Sequence, residues 1–328
     1  MNSKSLIVTV LAGLSITLAT SCGPEKPKEV YYLVSANLQV PYWQSVVNGF
    51  NKGAAAYKVP ARVVGPETYD PLAELDALQK AVRAKPSGIL ISVSDASILE
   101  RAIDDAVKQE IPVITVDSDA TATRRLYFVG TNNREAGRDG AARLIDKLGG
   151  KGNVVFFTIP GQPNLEDRLA GFKQALSGQP GIKIVEIVDI KGSASAAFDD
   201  AQRLLSRSGS EKIDAFVCLE AISGKPVADA IKRAKVTDRV VIAWDTDQGT
   251  LNAIRDGTID STIAQKPYTM GYFGLMLLYQ ANHVPPPQLN KDFRTDFFSP
   301  YPVFVDTGTT LVDRSNVDLY FSAQAAAK

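Results

Sequence analysis

Two stretches of the chain echo each other: Val113-Ile-Thr-Val-Asp117-Ser-Asp119 and Val241-Ile-Ala-Trp-Asp245-Thr-Asp247. Each is a short apolar run that stops at Asp-x-Asp, and the leading acids lie 128 positions apart. A run of this kind reads as a buried strand with a carboxylate at its carboxyl end. In open α/β sheets, ligands bind outside those ends. One such end in each half of the chain predicts two similar domains facing one another across a shared site.

The rest of the chain supports that reading. Short apolar runs alternate with helical patterns. Strand candidates are 30–35, 61–65, 88–93, 113–116 and 127–129, then 153–158, 182–188, 215–218, 240–244 and 261–264. Between them, Leu72, Leu75, Leu78 and Val82 form one helical stripe, and Ile98, Ala102, Ile103 and Val107 another. Strand–helix alternation with non-alternating apolar strands means parallel sheets buried on both faces. The halves divide near Gly130-Thr-Asn-Asn133. The helix at 268–282 belongs with the first half, because the second already has five strands. A last strand at 302–305 and a short terminal helix after Ser315 complete the order. The first lobe is expected over 30–131 plus 266–299, and the second over 132–265 plus 300–314. A terminal helix and tail occupy 315–328. The chain then crosses between lobes three times.

At 328 residues and 45% apolar, two ordinary domains can each bury a core. Charge balances at 36 basic and 36 acidic residues, which argues against nucleic acid as a partner. The amino terminus reads as an export signal: Lys4, an apolar stretch over 6–19, then small residues before Cys22. Leu18-Ala-Thr-Ser-Cys22 resembles a lipoprotein cleavage box, with Cys22 the lipidated residue and 23–29 a tether. In this variant the aliphatic residue stands four before the Cys rather than three. The alternative is ordinary secretion with Cys22 incidental. Cys218 sits in an apolar run and reads as an inert buried thiol. With His283 the only histidine, histidine-based metal sites and Ser-His-Asp chemistry have almost nothing to work with. No metal or cofactor is expected.

The candidate site residues all fall at strand ends or helix starts. Asp117 and Asp245 are partly desolvated acids that need donors, from a ligand or from the next helix. Asp119 and Asp247 read as caps or supporting groups. Tyr42 and Trp43, after Pro41, offer rings that stack on a sugar, although one of them is expected to pack into the core. Arg168 stands near a helix amino end, where a cation needs an acidic partner. That partner is ligand oxygen or a surface pairing with Glu166 or Asp167. Gln265 can donate and accept at once, which suits a hydroxyl. Carboxylates, an Arg, an amide and aromatics without a nucleophile–base pair suit vicinal hydroxyls.

In order along the chain, Val40-Pro-Tyr-Trp43, Gly88-Ile-Leu-Ile-Ser92, Ile111-Pro-Val-Ile-Thr-Val-Asp117, Val129-Gly-Thr-Asn-Asn133, Arg168-Leu-Ala-Gly-Phe172, Ala243-Trp-Asp245 and Thr262-Ile-Ala-Gln265 form an ordered set. With it, the chain resembles the ribose-type periplasmic sugar-binding proteins of ABC importers from Val30 to Val312. The resemblance implies two Rossmann-like lobes, a three-strand hinge (the type I arrangement) and one sugar between the lobes. It places ligand contacts at Tyr42, Trp43, Ser92, Asp117, Arg168, Glu220, Asp245 and Gln265. Three departures set this chain apart: Val40 where many relatives have Asn before the Pro of the aromatic turn, Ser118 where many have Arg, and Glu220 where many have Asn. Glu220 either meets the ligand or pairs with Arg168. The implied partners are a sugar-like ligand, an ABC permease with its ATPase, and the membrane through Cys22, with the protein a monomer. A ligand-sensing lipoprotein that presents its sugar to a receptor or kinase is the alternative. A glycoside-cleaving enzyme is weighed on the paired carboxylates. A sugar-responsive repressor would need a DNA-binding motif where the export signal stands.

Overall fold

The computed structural model describes residues 29–326 apart from 286, 288–291, 294 and 297, with side chains as far as Ser322. The export signal, the tether to residue 28 and Cys22 lie outside the described residues. Two six-stranded sheets organise the chain from Tyr31 onward.

The first lobe opens with β1 (Tyr31–Val34), α1 (Pro41–Tyr57), β2 (Ala61–Val64) and α2 (Pro71–Arg83). It continues with β3 (Gly88–Ile91), α3 (Ala96–Lys108), β4 (Val113–Val116) and β5 (Phe128–Gly130). The second lobe contains α4 (Asn133–Leu148), β6 (Gly152–Thr158), α5 (Pro163–Leu176), β7 (Ile182–Asp189), α6 (Ala194–Leu205) and β8 (Ala215–Cys218). After these come α7 (Gly224–Ala234), β9 (Val240–Trp244), α8 (Gln248–Asp256) and β10 (Ser261–Ala264). The chain returns to the first lobe with α9 (Pro267–His283) and β11 (Phe304–Asp306). It ends in the second with β12 (Thr310–Asp313) and α10 (Val317–Ala326).

The sheet orders are β2-β1-β3-β4-β5-β11 and β7-β6-β8-β9-β10-β12. All pairings are parallel except β10 with β12. The orders match strand for strand, so β4 and β9 hold equivalent places. In the first lobe, successive residues of the strands feed two cores. Tyr31, Leu33, Leu90 and Ile114 meet Phe50 and Leu275 on the α1/α9 face. Tyr32, Val34, Ile89 and Val113 meet Leu78 and Ile103 on the α2/α3 face. Burial on both faces explains why these strands show no polar alternation.

The helix pairs α1/α9 and α4/α5 pack through glycine. A Cβ on Gly271 would lie 2.0 Å from the Val46 carbonyl oxygen, and one on Gly49 would lie 2.0 Å from that of Tyr268. In the second lobe the Gly137 and Gly171 positions would meet the carbonyl oxygens of Arg168 and Arg134, both at 2.2 Å. Close backbone approach fixes how α5 sits, and α5 carries Arg168.

The crossings between lobes lie after β5, after β10 and between β11 and β12. The expectation of a single last strand at 302–305 in the second lobe is corrected by the pairing. Phe304–Asp306 pairs in parallel with Phe128–Gly130 of the first sheet. Only Thr310–Asp313 joins the second, antiparallel to β10. Two short strands are needed because one extended segment serves both sheets, with Gly308 at φ +73° between them. Thr307 donates its N–H to Gly130 O at 2.7 Å, and Asn132 N–H donates to Asp306 Oδ1 at 3.3 Å, so two crossings are tied together. The terminal helix joins the second lobe: Val317 enters its core and Asp318 pairs with Arg255.

Gly271→Ala should lose about 1–3 kcal/mol through overpacking against the α1 backbone. Urea unfolding checks this; a midpoint within error of the parent contradicts the close approach.

Candidate functional site between the lobes

The carboxyl ends of both sheets face one cavity of about 530 Å³, part of it open to solvent. Asp117 ends β4 and Asp245 ends β9. Both have left-handed backbones, φ +63° and +64°. Asp tolerates that region better than most residues, and strained backbone of this kind concentrates at functional sites. Each backbone N–H still pairs with the next strand: Asp117 with Val129 O at 3.1 Å, Asp245 with Ile263 O at 2.9 Å. The turn thus leaves the sheet intact and sends both carboxyls into the cleft.

Their partners differ. Tyr42 donates its hydroxyl to Asp117 Oδ1 at 2.6 Å. Asn164, from the second lobe, donates its amide to Asp117 Oδ2 at 3.1 Å. Asp245 accepts from Gln265 Nε2 at 3.0 Å on Oδ1. Its Oδ2 makes no hydrogen bond to the described residues. Burial raises both acids, opposed by the nearby Arg168, and Asp245 is pushed up to about 7. Burial and the facing Asp117 likewise hold the Tyr42 hydroxyl protonated well above its ordinary range.

Arg168 is 2% exposed. Its Nε donates to Asn133 Oδ1 at 2.8 Å and its terminal nitrogens to Leu219 O at 2.7 Å and Gln265 Oε1 at 2.9 Å. The guanidinium lies 4.8 Å from the Trp244 ring centroid, a cation–π placement. The surface pairing with Glu166 or Asp167 does not form: Glu166 accepts from Gly161 N–H and Asp167 pairs with Arg134. Gln265 Oε1 also accepts from Thr131 at 2.8 Å.

Tyr42 and Trp43 lie in the first turn of α1, which begins at Pro41. Both rings line the cavity and both are part of the core; they meet edge to face at 5.4 Å. Glu220 lines the cavity too, but the pairing with Arg168 is replaced by a cap on its own turn. Its carboxylate accepts from the N–H groups of Ile222 and Ser223 and from the Ser223 hydroxyl. Burial raises Glu220, and those donors pull it back. Ser92 and Ser118 are correct as strand-end residues yet do not line the cavity. Both are fully buried and their hydroxyls find no partner among the described residues. The trailing acids are structural. Asp247 caps α8 through Gly249 and Thr250 N–H, and Asp119 holds buried Arg125 and the Thr115 hydroxyl.

Asn37, Tyr69 and Asn164 belong to the site or its support and carry no motif in the sequence, while Thr131 and Asn133 fall within the Val129-Gly-Thr-Asn-Asn133 stretch without being singled out for the site. Asn164 has one signal, its place after Pro163 at a helix start beside Arg168. Tyr69 reaches across the cleft: its Cβ would stand 2.8 Å from a side chain at Gly192, and its ring packs on the second lobe's core.

A protein-family model described as a periplasmic binding protein domain matches residues 31–282. The chain belongs to the periplasmic binding proteins. Among curated members, the ribose import binding protein RbsB of Bacillus subtilis is 24% identical over 80% of this chain and 89% of its own. A solved sugar-binding protein of a sugar ABC transporter from Bacillus halodurans is 32% identical, with TM-score 0.78, covering 89% of this chain and all of that one. AraP, an arabinose-binding protein from Geobacillus stearothermophilus, is 30% identical with TM-score 0.72 over 90% of this chain and 99% of its own. Two parallel-sheet lobes around a cleft are the type I form of the periplasmic binding protein fold.

The raised Asp245 has a consequence for stability. Below its ordinary 3.8 the group is protonated folded or unfolded; above about 7 it is charged in both. Between these, only the folded state holds the proton, so the ligand-free protein loses stability from this group as pH rises. In Asp245→Asn that loss disappears. The variant's Tm relative to the parent should therefore be higher at pH 8 than at pH 5, read by calorimetric melting of ligand-free protein. A pH-independent difference contradicts the assignment.

Proposed function

We propose that the chain binds a monosaccharide or similar small polyhydroxylated ligand between its lobes and delivers it to an ABC-type permease and its ATPase. The observation that carries this reading is Asp117 and Asp245 at equivalent strand ends, one per lobe, facing a single cavity with Arg168 and two aromatic rings. Carboxylates accept from hydroxyls, the amide of Gln265 and the guanidinium fix the cavity's polar wall, and the rings offer apolar faces to C–H groups. The sugar-binding relatives support it.

The ligand contacts both lobes, so binding favours the closed arrangement, and the closed shape is what the permease recognises. The protein works as an exported monomer, tethered to the membrane through a lipid on Cys22, and binds without converting its ligand. Mass spectrometry of the membrane fraction tests the anchor: the expected product begins at a diacylglyceryl-modified Cys22, and an unmodified, freely soluble chain refutes it.

A thermal-shift screen with pentoses, hexoses, deoxy sugars and polyols should find a ligand that raises Tm, because binding to the folded state alone stabilises it. Failure of every such compound sinks the reading. With that ligand, calorimetry should separate the acids. Asp245→Ala is expected to weaken binding by about 2–3 kcal/mol, the scale of a lost charge-assisted hydrogen bond. Asp119→Ala should leave affinity nearly unchanged and instead destabilise by about 3 kcal/mol, because Arg125 is left buried without its partner. Comparable affinity losses overturn this ranking.

A further inference from the structure

Among the described residues, more acids than cations line the cavity. Asp117, Glu220 and Asp245 all line it, none more than 7% exposed. Among the described residues, one cation, Arg168, shares the space. Its nitrogens are committed to three neutral acceptors: Asn133, the main chain of Leu219, and Gln265. Lys225 stands farther out, in the groove at the mouth, where Asp229 holds it. With all three acids ionised, the cavity wall holds three negative charges against one positive.

The three carboxyls are not equivalent. Asp117 has both oxygens satisfied, by Tyr42 and Asn164. Glu220 sits just before α7, where two N–H groups and a hydroxyl hold its charged form, and a helix amino end favours an anion. Asp245 alone presents an oxygen, Oδ2, without a hydrogen bond to the described residues. Its other oxygen is fixed by Gln265. Asp117 is close enough for its charge to raise the proton affinity of Asp245. The cavity wall also includes the Tyr42 and Trp43 rings, and aromatic faces attract cations.

A neutral hydroxyl can bond to that free oxygen but leaves the charge as it was. An ammonium donates to it and cancels a charge as well. Extending the sugar-binding reading, on which this rests, we propose that the ligand is a small polyhydroxylated molecule bearing a protonated amine, an amino sugar or amino polyol, with its ammonium against Asp245 Oδ2. Glu220 and Asp117 supply the surrounding negative field, and Arg168 and Gln265 orient the receiving wall. The opposing arrangement is a neutral sugar, with a proton held among the acids.

Calorimetric titration of the full chain with matched sets decides between them. Each set pairs an aminodeoxy hexose or pentose, with the amine at a different ring position, with its neutral parent sugar. The expected result is that at least one aminated member binds at least about tenfold tighter than its parent, equal to about 1.4 kcal/mol. If parents bind as tightly as or more tightly than every aminated partner, the charge inference fails and the sugar reading stands. If no member of any set gives heat or raises Tm, the sugar reading itself fails and the inference with it. Asp245→Asn keeps an acceptor for Gln265 and removes the charge. It should cut the amine-over-parent preference at least about tenfold. Glu220→Gln should reduce the same ratio, and serves if Asp245→Asn folds poorly. A ratio unchanged in a folded variant of either kind contradicts the proposal.

Discussion

One buried amide holds the site together. Gln265 opens the second crossing between lobes, and its carbonyl oxygen accepts from Thr131 at the first crossing and from Arg168. Its amide nitrogen donates to Asp245. Rotating the amide would set a donor against a donor at Arg168 and leave the buried carboxyl without its N–H, so only one orientation satisfies the cluster. The guanidinium, fixed in turn by Asn133 and the Leu219 carbonyl, lies over Trp244. The cavity-lining polar face of the second lobe is thereby held by its own hydrogen bonds, anchored on the segments that cross between the lobes. Preorganisation of this kind lowers the ordering cost of binding.

The two strand-end acids share a backbone and differ in what they hold. Both turn out of their sheets at left-handed φ, which is why the Asp-x-Asp echo recurs at equivalent strands. Asp117 is closed off by a tyrosine of its own lobe and an asparagine of the other. Asp245 Oδ2 makes no hydrogen bond to the described residues. The repeat therefore reports a duplicated sheet plan, while the polar neighbours decide which acid is left to grip a ligand.

Much of this is legible in the sequence, and for a physical reason. Parallel strands buried on both faces must be apolar along their length, so most strands of the two sheets announce themselves, and an acid at the end of such a run has few places to go. Asp117, Asp245, Arg168 and Gln265 converge on one cavity as their positions suggest. The failures have equally definite causes. Ser118 follows the cavity residue Asp117 in the chain, but its side chain, like that of Ser92, is fully buried. Glu220 cannot be told from an Arg168 partner by pattern, because its real donors are main-chain N–H groups two and three residues on and the neighbouring Ser223 hydroxyl. Such short-range caps are decided by the turn, which the side-chain pattern does not encode. Asn164 and Thr131 act across the lobe boundary, so their roles exist only once the two halves are placed together. The strand expected at 302–305 corresponds to β11, whose sheet is chosen by pairing alone, and the four-residue edge strand β12 escapes assignment because so short a run carries no periodicity.

Tyr69 against the Gly192 turn and Asn164 on Asp117 already link the lobes across the cleft, so the walls meet in this arrangement. If ligand contact with both lobes is what holds them there, ligand must change the balance between open and closed forms. Small-angle scattering of the protein with and without a saturating concentration of a ligand from the thermal screen measures this directly. The expected result is a smaller radius of gyration on saturation; an unchanged radius with the site shown to be full would contradict closure as the mechanism.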